Sequence, residues 1–189
     1  MTRKEANQIL NKYLTNANLI KHCLATEAVM KALYKRLNPA FDSAEEEKWG
    51  IVGLLHDADY ELAKGKPEVH GLLLFEKEPN VIPEDIAHAI KAHNFEYTKV
   101  EPKSKMDWAI ACCDQLTGLI VAATLIHPDK KLSSVTPEFV LGRFKEKSFA
   151  KGADRNSILR CEKYLQIPLS EFIQITLSAM QEISNTLGL

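Results

Sequence analysis

The sequence predicts an all-α fold, a compact single-domain helical bundle over residues 1–189. Three observations carry that prediction. Apolar residues recur at three- and four-residue intervals almost throughout, and no stretch shows the strict alternation of a half-buried strand. Proline, glycine and cap residues punctuate the chain at helix-length intervals, with no internal repeat, low-complexity run or linker between them. At 189 residues, 46% hydrophobic and 26% charged, the chain has the size and balance of one domain with a single sizeable core.

The elements follow in order. Thr2 with Glu5 makes a capping box ahead of the short stripe Ala6, Ile9, Leu10 and Tyr13. A second helix is expected over about residues 18–37, stopping before Asn38-Pro39. Its apolar face runs through Leu19, Cys23, Met30, Leu33 and Leu37, and His22 sits inside it. Ser43 with Glu46 predicts the N-cap of a third helix that ends near residues 55–57. Gly65-Lys66-Pro67 breaks the chain, and a helix is expected to cover His70 to Glu76. Pro83 opens the next helix, with Glu84 and Asp85 favourable to its dipole. His88 and His93 on that helix are five residues apart, hence about 140° apart around the axis, so only one points inward easily. His93 shares its face with Ile86 and Ile90 and is the choice; His88 and His127 are expected to be solvent-facing or capping.

The long apolar run 107–126 carries Asp107, Ile110, Ala111, Asp114, Thr117, Gly118 and Val121 along one line. Asp114 and Gln115 near its middle favour a buried core helix over a membrane span. Thr136-Pro137-Glu138 starts another helix, and Gly152-Ala153-Asp154 caps one expected over residues 155–165. Pro168 and Ser170 open a final amphipathic helix to about residue 187.

The most informative stretch is Trp49-Gly50-Ile51-Val52-Gly53-Leu54-Leu55-His56-Asp57. Trp49, Val52, Gly53 and His56 fall at i, i+3, i+4 and i+7, which puts His56 on the buried face. Asp57 follows at once. A buried ionised carboxylate costs several kcal/mol unless a partner or a metal compensates it. A His-Asp pair ending a buried helix therefore points to a metal site, with His22 and Asp114 on two other apolar faces as candidate ligands.

The order His22, His56-Asp57, Asp114, each on a helix, resembles the HD-domain superfamily of metal-dependent phosphohydrolases. The resemblance covers roughly residues 15–125, with the C-terminal helices 136–187 expected to pack on that core. It implies that His22, His56, Asp57 and Asp114 bind a divalent metal. Dinuclear members add two histidines between the HD pair and the last aspartate, and His70 and His93 occupy that interval. The closer likeness is to small HDIG-like hydrolases, although Asp59 stands here where that motif has glycine, and there is no GYP motif.

Imidazole and carboxylate together suit Mn, Fe, Co, Ni or Zn, as one ion or two. Such an ion polarises a phosphoryl oxygen and lowers the pKa of water from 15.7 towards about 7. The expected function is hydrolysis of a nucleotide or other small phosphorylated substrate. Asp57 is the central catalytic carboxylate, and Asp59 and Glu61, just beyond it, are candidate general acids that alternatively cap the next turn or face solvent. The alternatives are a di-iron oxygenase on the same six ligands, resembling myo-inositol oxygenase, and a non-catalytic metal or nucleotide sensor.

Arg143, Lys147, Lys151 and Arg155 concentrate positive charge in an otherwise balanced chain, with Phe144 and Phe149 as anchors. They are candidate substrate-phosphate binders, or else a solvated helix end. A formal net charge of −1 provides no general attraction for nucleic acid or membrane, so neither is an expected partner. Cys23, Cys112, Cys113 and Cys161 have no CxxC spacing and read as reduced, buried residues. With no signal-peptide pattern at residues 1–5, a cytoplasmic location is expected.

Overall fold

The structure, a computed structural model, describes residues 1–189 and contains no strand; 69% of the chain is helical. The helices are α1 (Arg3–Tyr13), α2 (Ala17–Leu37), α3 (Ser43–Leu55), α4 (Tyr60–Ala63), α5 (Leu73–Lys77) and α6 (Glu84–His93). They continue as α7 (Phe95–Thr98), α8 (Lys105–Ile126), α9 (Pro137–Lys145), α10 (Arg155–Arg160), α11 (Leu169–Glu182) and α12 (Ser184–Leu187).

The starts of the helices are chemically marked. Thr2 and Glu5 form the expected capping box. Asn16 caps α2 and Asp154 caps α10 by accepting backbone N–H groups of the first turn, and Thr136 caps α9 ahead of Pro137. The cap of α3 is Asp42, one residue earlier than Ser43, because its carboxylate takes the N–H groups of Ala44 and Glu45. Asp107, placed on the inward line of α8 by periodicity, instead completes a capping box with Ser104.

Three helix boundaries differ from expectation. His70 lies in a turn, and the helix behind it starts only at Leu73. Gly71 has φ +85°, a left-handed conformation that ends any helix there. The segment 155–165 is α-helical only to Arg160; Cys161–Leu165 forms a π-helical turn closed by the left-handed Gln166. The last helix breaks at Ile183, between α11 and α12.

One hydrophobic cluster of 45 residues runs from Ala6 to Leu187, so the C-terminal helices share the core of the N-terminal ones. α8 forms its spine, touching α2, α6, α9, α10 and α11. By length and composition α8 could cross a bilayer, but 61% of its most apolar window is buried within the protein. All four cysteines are buried and unpaired. A buried charge that periodicity does not reveal is Glu27, clasped by Arg3 at 2.6 Å and Lys31 at 2.7 Å.

The contact that places the functional residues is the crossing of α2 and α3. A Cβ on Gly53 would stand 2.6–2.8 Å from the backbone of Thr26 and Glu27. Only glycine lets the two backbones approach so closely, and the approach brings His22 of α2 beside His56 at the end of α3. Gly53→Ala is expected to destabilise the protein by about 1–3 kcal/mol, because the obstructing atoms are backbone and cannot rotate away. Gly142→Ala on the open face of α9, with nothing within 4 Å, is expected to be neutral or to stabilise by up to about 1 kcal/mol through helix propensity. Urea unfolding of the two variants checks the contrast.

Candidate metal centre

His56 and Asp57 are buried where α3 ends. The chain then turns through Ala58 and Asp59 into α4, so the imidazole and carboxylate leave the helix together. Around them the structure gathers His22 from α2, His70 from the turn before α5, His93 from the last residue of α6 and Asp114 from the middle of α8. All six residues with a sequence-assigned ligand role meet at one place.

They form two adjoining groups. His22, His56 and Asp114 make one, and Asp57, His70 and His93 the other, with the ligand atoms of each within 4.8 Å of one another. His22 Nε2 lies 2.9 Å from Asp114 Oδ1 and 3.1 Å from His56 Nε2. His70 Nε2 lies 3.0 Å from Asp57 Oδ1 and 3.1 Å from His93 Nε2. Asp57 stands between the groups: Oδ2 is 3.5 Å from His22 Nε2, and Oδ1 is 3.5 Å from His56 Nε2 and 3.8 Å from that of His93.

The outer nitrogens are as ordered as the inner ones. His56 Nδ1 meets the carbonyl of Gly53 at 2.8 Å, and His93 Nδ1 that of Ile90. His70 Nδ1 meets Asp59 Oδ1 at 2.8 Å. His22 Nδ1 meets the hydroxyl of Thr117 at 3.2 Å, and that hydroxyl donates to the Asp114 carbonyl, leaving its oxygen to accept from the ring. Each Nδ1 thus faces an acceptor that can take its proton, so that all four Nε2 atoms are turned inward and, with the rings neutral, would offer their lone pairs to a metal. This is the arrangement a divalent transition ion requires, so the residues present fit a metal. Gln115, one residue past Asp114, adds a hydrogen bond of 2.8 Å to Asp114 Oδ2.

Charge in the cluster is uneven. Burial pushes Asp57 up, but His56, His70 and His22 outweigh it and hold the carboxyl well below its usual range. Burial likewise opposes Asp114, yet hydrogen bonds from His22 and His56 hold it low. His56 is disfavoured as a cation by burial, but Asp57 and Asp114 lift it to about 9. His70 rises to about 10, as its bonds to Asp57 and Asp59 outweigh burial. Burial together with the neighbouring His70 and His56 pushes His93 down to about 4. Without metal, protons on His56 and His70 offset part of the carboxylate charge.

Other sequence-assigned roles need correction. Asp59 is buried, and its carboxylate takes N–H groups from His70, Gly71 and Leu74. Those bonds commit it to orienting His70 and shaping the turn, rather than to donating a proton to substrate. Glu61 accepts from the backbone N–H and hydroxyl of Thr15, tying α4 to the α1–α2 connection. His88 is not solvent-facing: it is partly buried, with Nδ1 3.0 Å from Asp107. His127 does end a helix, as the C-cap of α8.

The basic run does not converge on the cluster. Arg155 donates to the carbonyls of Phe144, Phe149, Ala150 and Ala153, clamping its own loop. Arg143 pairs with Glu146 at 2.6 Å and lies over Phe139. Lys147 and Lys151 are exposed. None of the four lines either cavity beside the cluster; the cations there are Lys66, next to His70, and Arg160, next to His93. Phe144 and Phe149 do pack against the core.

Thr117, Gln115 and Asn94 are the site residues that sequence reasoning missed. Thr117 and Gln115 were detectable in part, lying three residues and one residue beyond Asp114. Asn94, whose amide holds the carbonyls of Pro67 and His70, carries no local signal.

An all-helical protein has here assembled an imidazole–carboxylate centre suited to divalent metal. The sequence model of the HD-domain family matches residues 19–119, more than half of the chain, and the chain belongs to that family. Most of its superfamily are metal-dependent hydrolases, and some members are not catalytic. No curated protein and no solved structure matches the chain significantly.

Two outcomes follow. Asp59→Ala or Thr117→Val is expected to weaken metal affinity about 10–100-fold without removing a ligand, measured by chelator competition. The raised values of His56 and His70 make their stabilisation of metal-free protein complete below pH 6.5 and lost as pH rises through about 9 to 10. Metal needs the same imidazoles neutral, so its affinity is expected to rise with pH over that window while the metal-free melting temperature falls. Proton release on metal uptake near neutral pH checks the sign.

Proposed function

We propose that the protein is a divalent-metal-dependent phosphohydrolase acting on a nucleotide or other small phosphate ester, with Asp57 among the residues that would hold the metal. The observation that carries this reading is the pairing of two three-ligand groups across one carboxylate, with every imidazole held from behind. HD-family membership supports the same class of reaction.

When bound, the metal would supply Lewis-acid polarisation of a phosphoryl oxygen and an acidified water. The chain's own residues supply the order. His22, His56 and Asp114 would hold one ion; His70, His93 and Asp57 would hold the other. Asp57 and Asp114 stay ionised, which favours cations at the centre. Gln115, Thr117 and Asp59 fix ligand orientation so that little reorganisation is needed on binding. Lys66, which lines the same cavity of about 250 Å³ as His70, would supply positive charge to a phosphate bound there.

Two divalent ions per chain are expected in protein purified without chelator, by elemental analysis. Removing them, or replacing Asp57 by Ala, is expected to lower phosphate-ester turnover by at least about 100-fold, because Asp57 would be among the residues holding the metal. Retained turnover in metal-stripped protein would sink the reading. Oxygen consumption by a di-iron form would shift it to the oxygenase alternative, and tight metal binding without turnover of any ester would shift it to a sensor.

A further inference from the structure

A cavity of about 360 Å³ opens beside His93, and the family match does not account for its far wall. Its floor includes His93 and Gln115; one wall is Phe95 and Glu96 of α7, and the other is Ser157 and Arg160 of α10. That volume lies within the range of small-molecule sites, about 300–1,000 Å³. The lining adjoins the metal centre at His93 and Gln115. His93 is a candidate ligand, and Gln115 bonds Asp114 with its amide nitrogen while its oxygen accepts the N–H of Asp154 on the far wall. An ester whose phosphoryl group lies beside His93 has this space for the rest of itself.

The wall chemistry is specific. Arg160 Nη2 is 2.7 Å from Glu96 Oε1, and the guanidinium lies 4.7 Å from the centre of the Phe95 ring. The Glu96 side chain is 53% exposed and that of Arg160 26%, so the pair contributes little to stability and can exchange partners. A carboxylate beside a guanidinium presents an acceptor and donors at the spacing of neighbouring hydroxyls, each of which donates once and accepts once. Glu96 and Asp154 would repel an anionic group, and an apolar one would leave the ion pair desolvated. Arg160 also immediately precedes the π-helical turn Cys161–Leu165, a distortion frequent at functional positions.

We propose that this cavity is the leaving-group subsite, and that Glu96 and Arg160 together recognise vicinal hydroxyls of a sugar- or polyol-type phosphate ester. The inference rests on the phosphohydrolase reading for its reaction, but the recognition stands on the cavity alone. The α10 side of the subsite comes from helices beyond residue 119, so the preference belongs to this chain's C-terminal part.

The test uses the metal-loaded full chain. KM and kcat are measured for ribose 5-phosphate, a ribonucleoside 5′-phosphate, its 2′-deoxy counterpart and p-nitrophenyl phosphate. The diol-bearing esters are expected to have KM about tenfold lower than the others. Glu96→Gln and Arg160→Ala are each expected to remove that advantage, raising KM for diol esters about tenfold while kcat and p-nitrophenyl phosphate turnover stay level. An advantage shared by the ribonucleotide and ribose 5-phosphate upholds the sugar diol as the recognised group; one confined to the ribonucleotide overturns it. Calorimetric binding of ribose 5-phosphate against inorganic phosphate separates the two claims. Tighter binding of the sugar phosphate, lost in both variants, upholds the subsite even if no ester turns over and the phosphohydrolase reading fails. Equal binding of the two ligands, or variants that alter all esters alike, overturns it.

Discussion

Asp57 is a carboxylate buried among four imidazoles, and the arrangement around it follows from keeping that charge tolerable. Burial alone would force the group to protonate. Four rings stand within 4 Å of its oxygens, and His56, His70 and His22 among them keep it ionised, provided they stay turned towards it. They stay turned because each outer nitrogen is bound to something rigid: a carbonyl one turn back on the same helix for His56 and His93, a carboxylate for His70, a hydroxyl for His22. The same posture suits protons or metal ions.

The bundle can be understood from that requirement. Two rings can meet at 3.1 Å only if α2 and α3 nearly touch, which glycine at residue 53 permits. Asp114 must come from a helix that crosses the interior, and α8 carries it there among apolar neighbours. The turn holding His70 is shaped by the buried Asp59, whose oxygens replace the helical bonds that the turn lacks. Stability and site geometry thus share residues, and a substitution at Gly53 or Asp59 affects both.

The C-terminal helices have a separate part. They complete the hydrophobic core, yet they also reach back to the centre through Gln115 and the backbone of Asp154. That link ties residues outside the family core to Asp114, one of the six clustered residues. Arg155, a candidate phosphate binder by sequence, is occupied in holding the loop that makes this link.

The all-α architecture was legible in the chain because periodicity and caps are local properties. The ligand set was legible because a polar side chain on an apolar helical face needs an explanation within a few residues of itself. His22, His56, Asp57, His93 and Asp114 could each be selected that way. His70 came only from its place in the family order, since its turn depends on Asp59 and on the left-handed Gly71. What only the three-dimensional arrangement decided was the partnership of residues far apart in sequence: Glu61 with Thr15, His88 with Asp107, Arg160 with Glu96. Long polar side chains reach in several directions, and the direction taken depends on which distant backbone or charge the packed helices bring near. Apolar periodicity specifies a face to bury, but hydrogen bonds need a partner at the right distance and angle, and only the folded chain provides one.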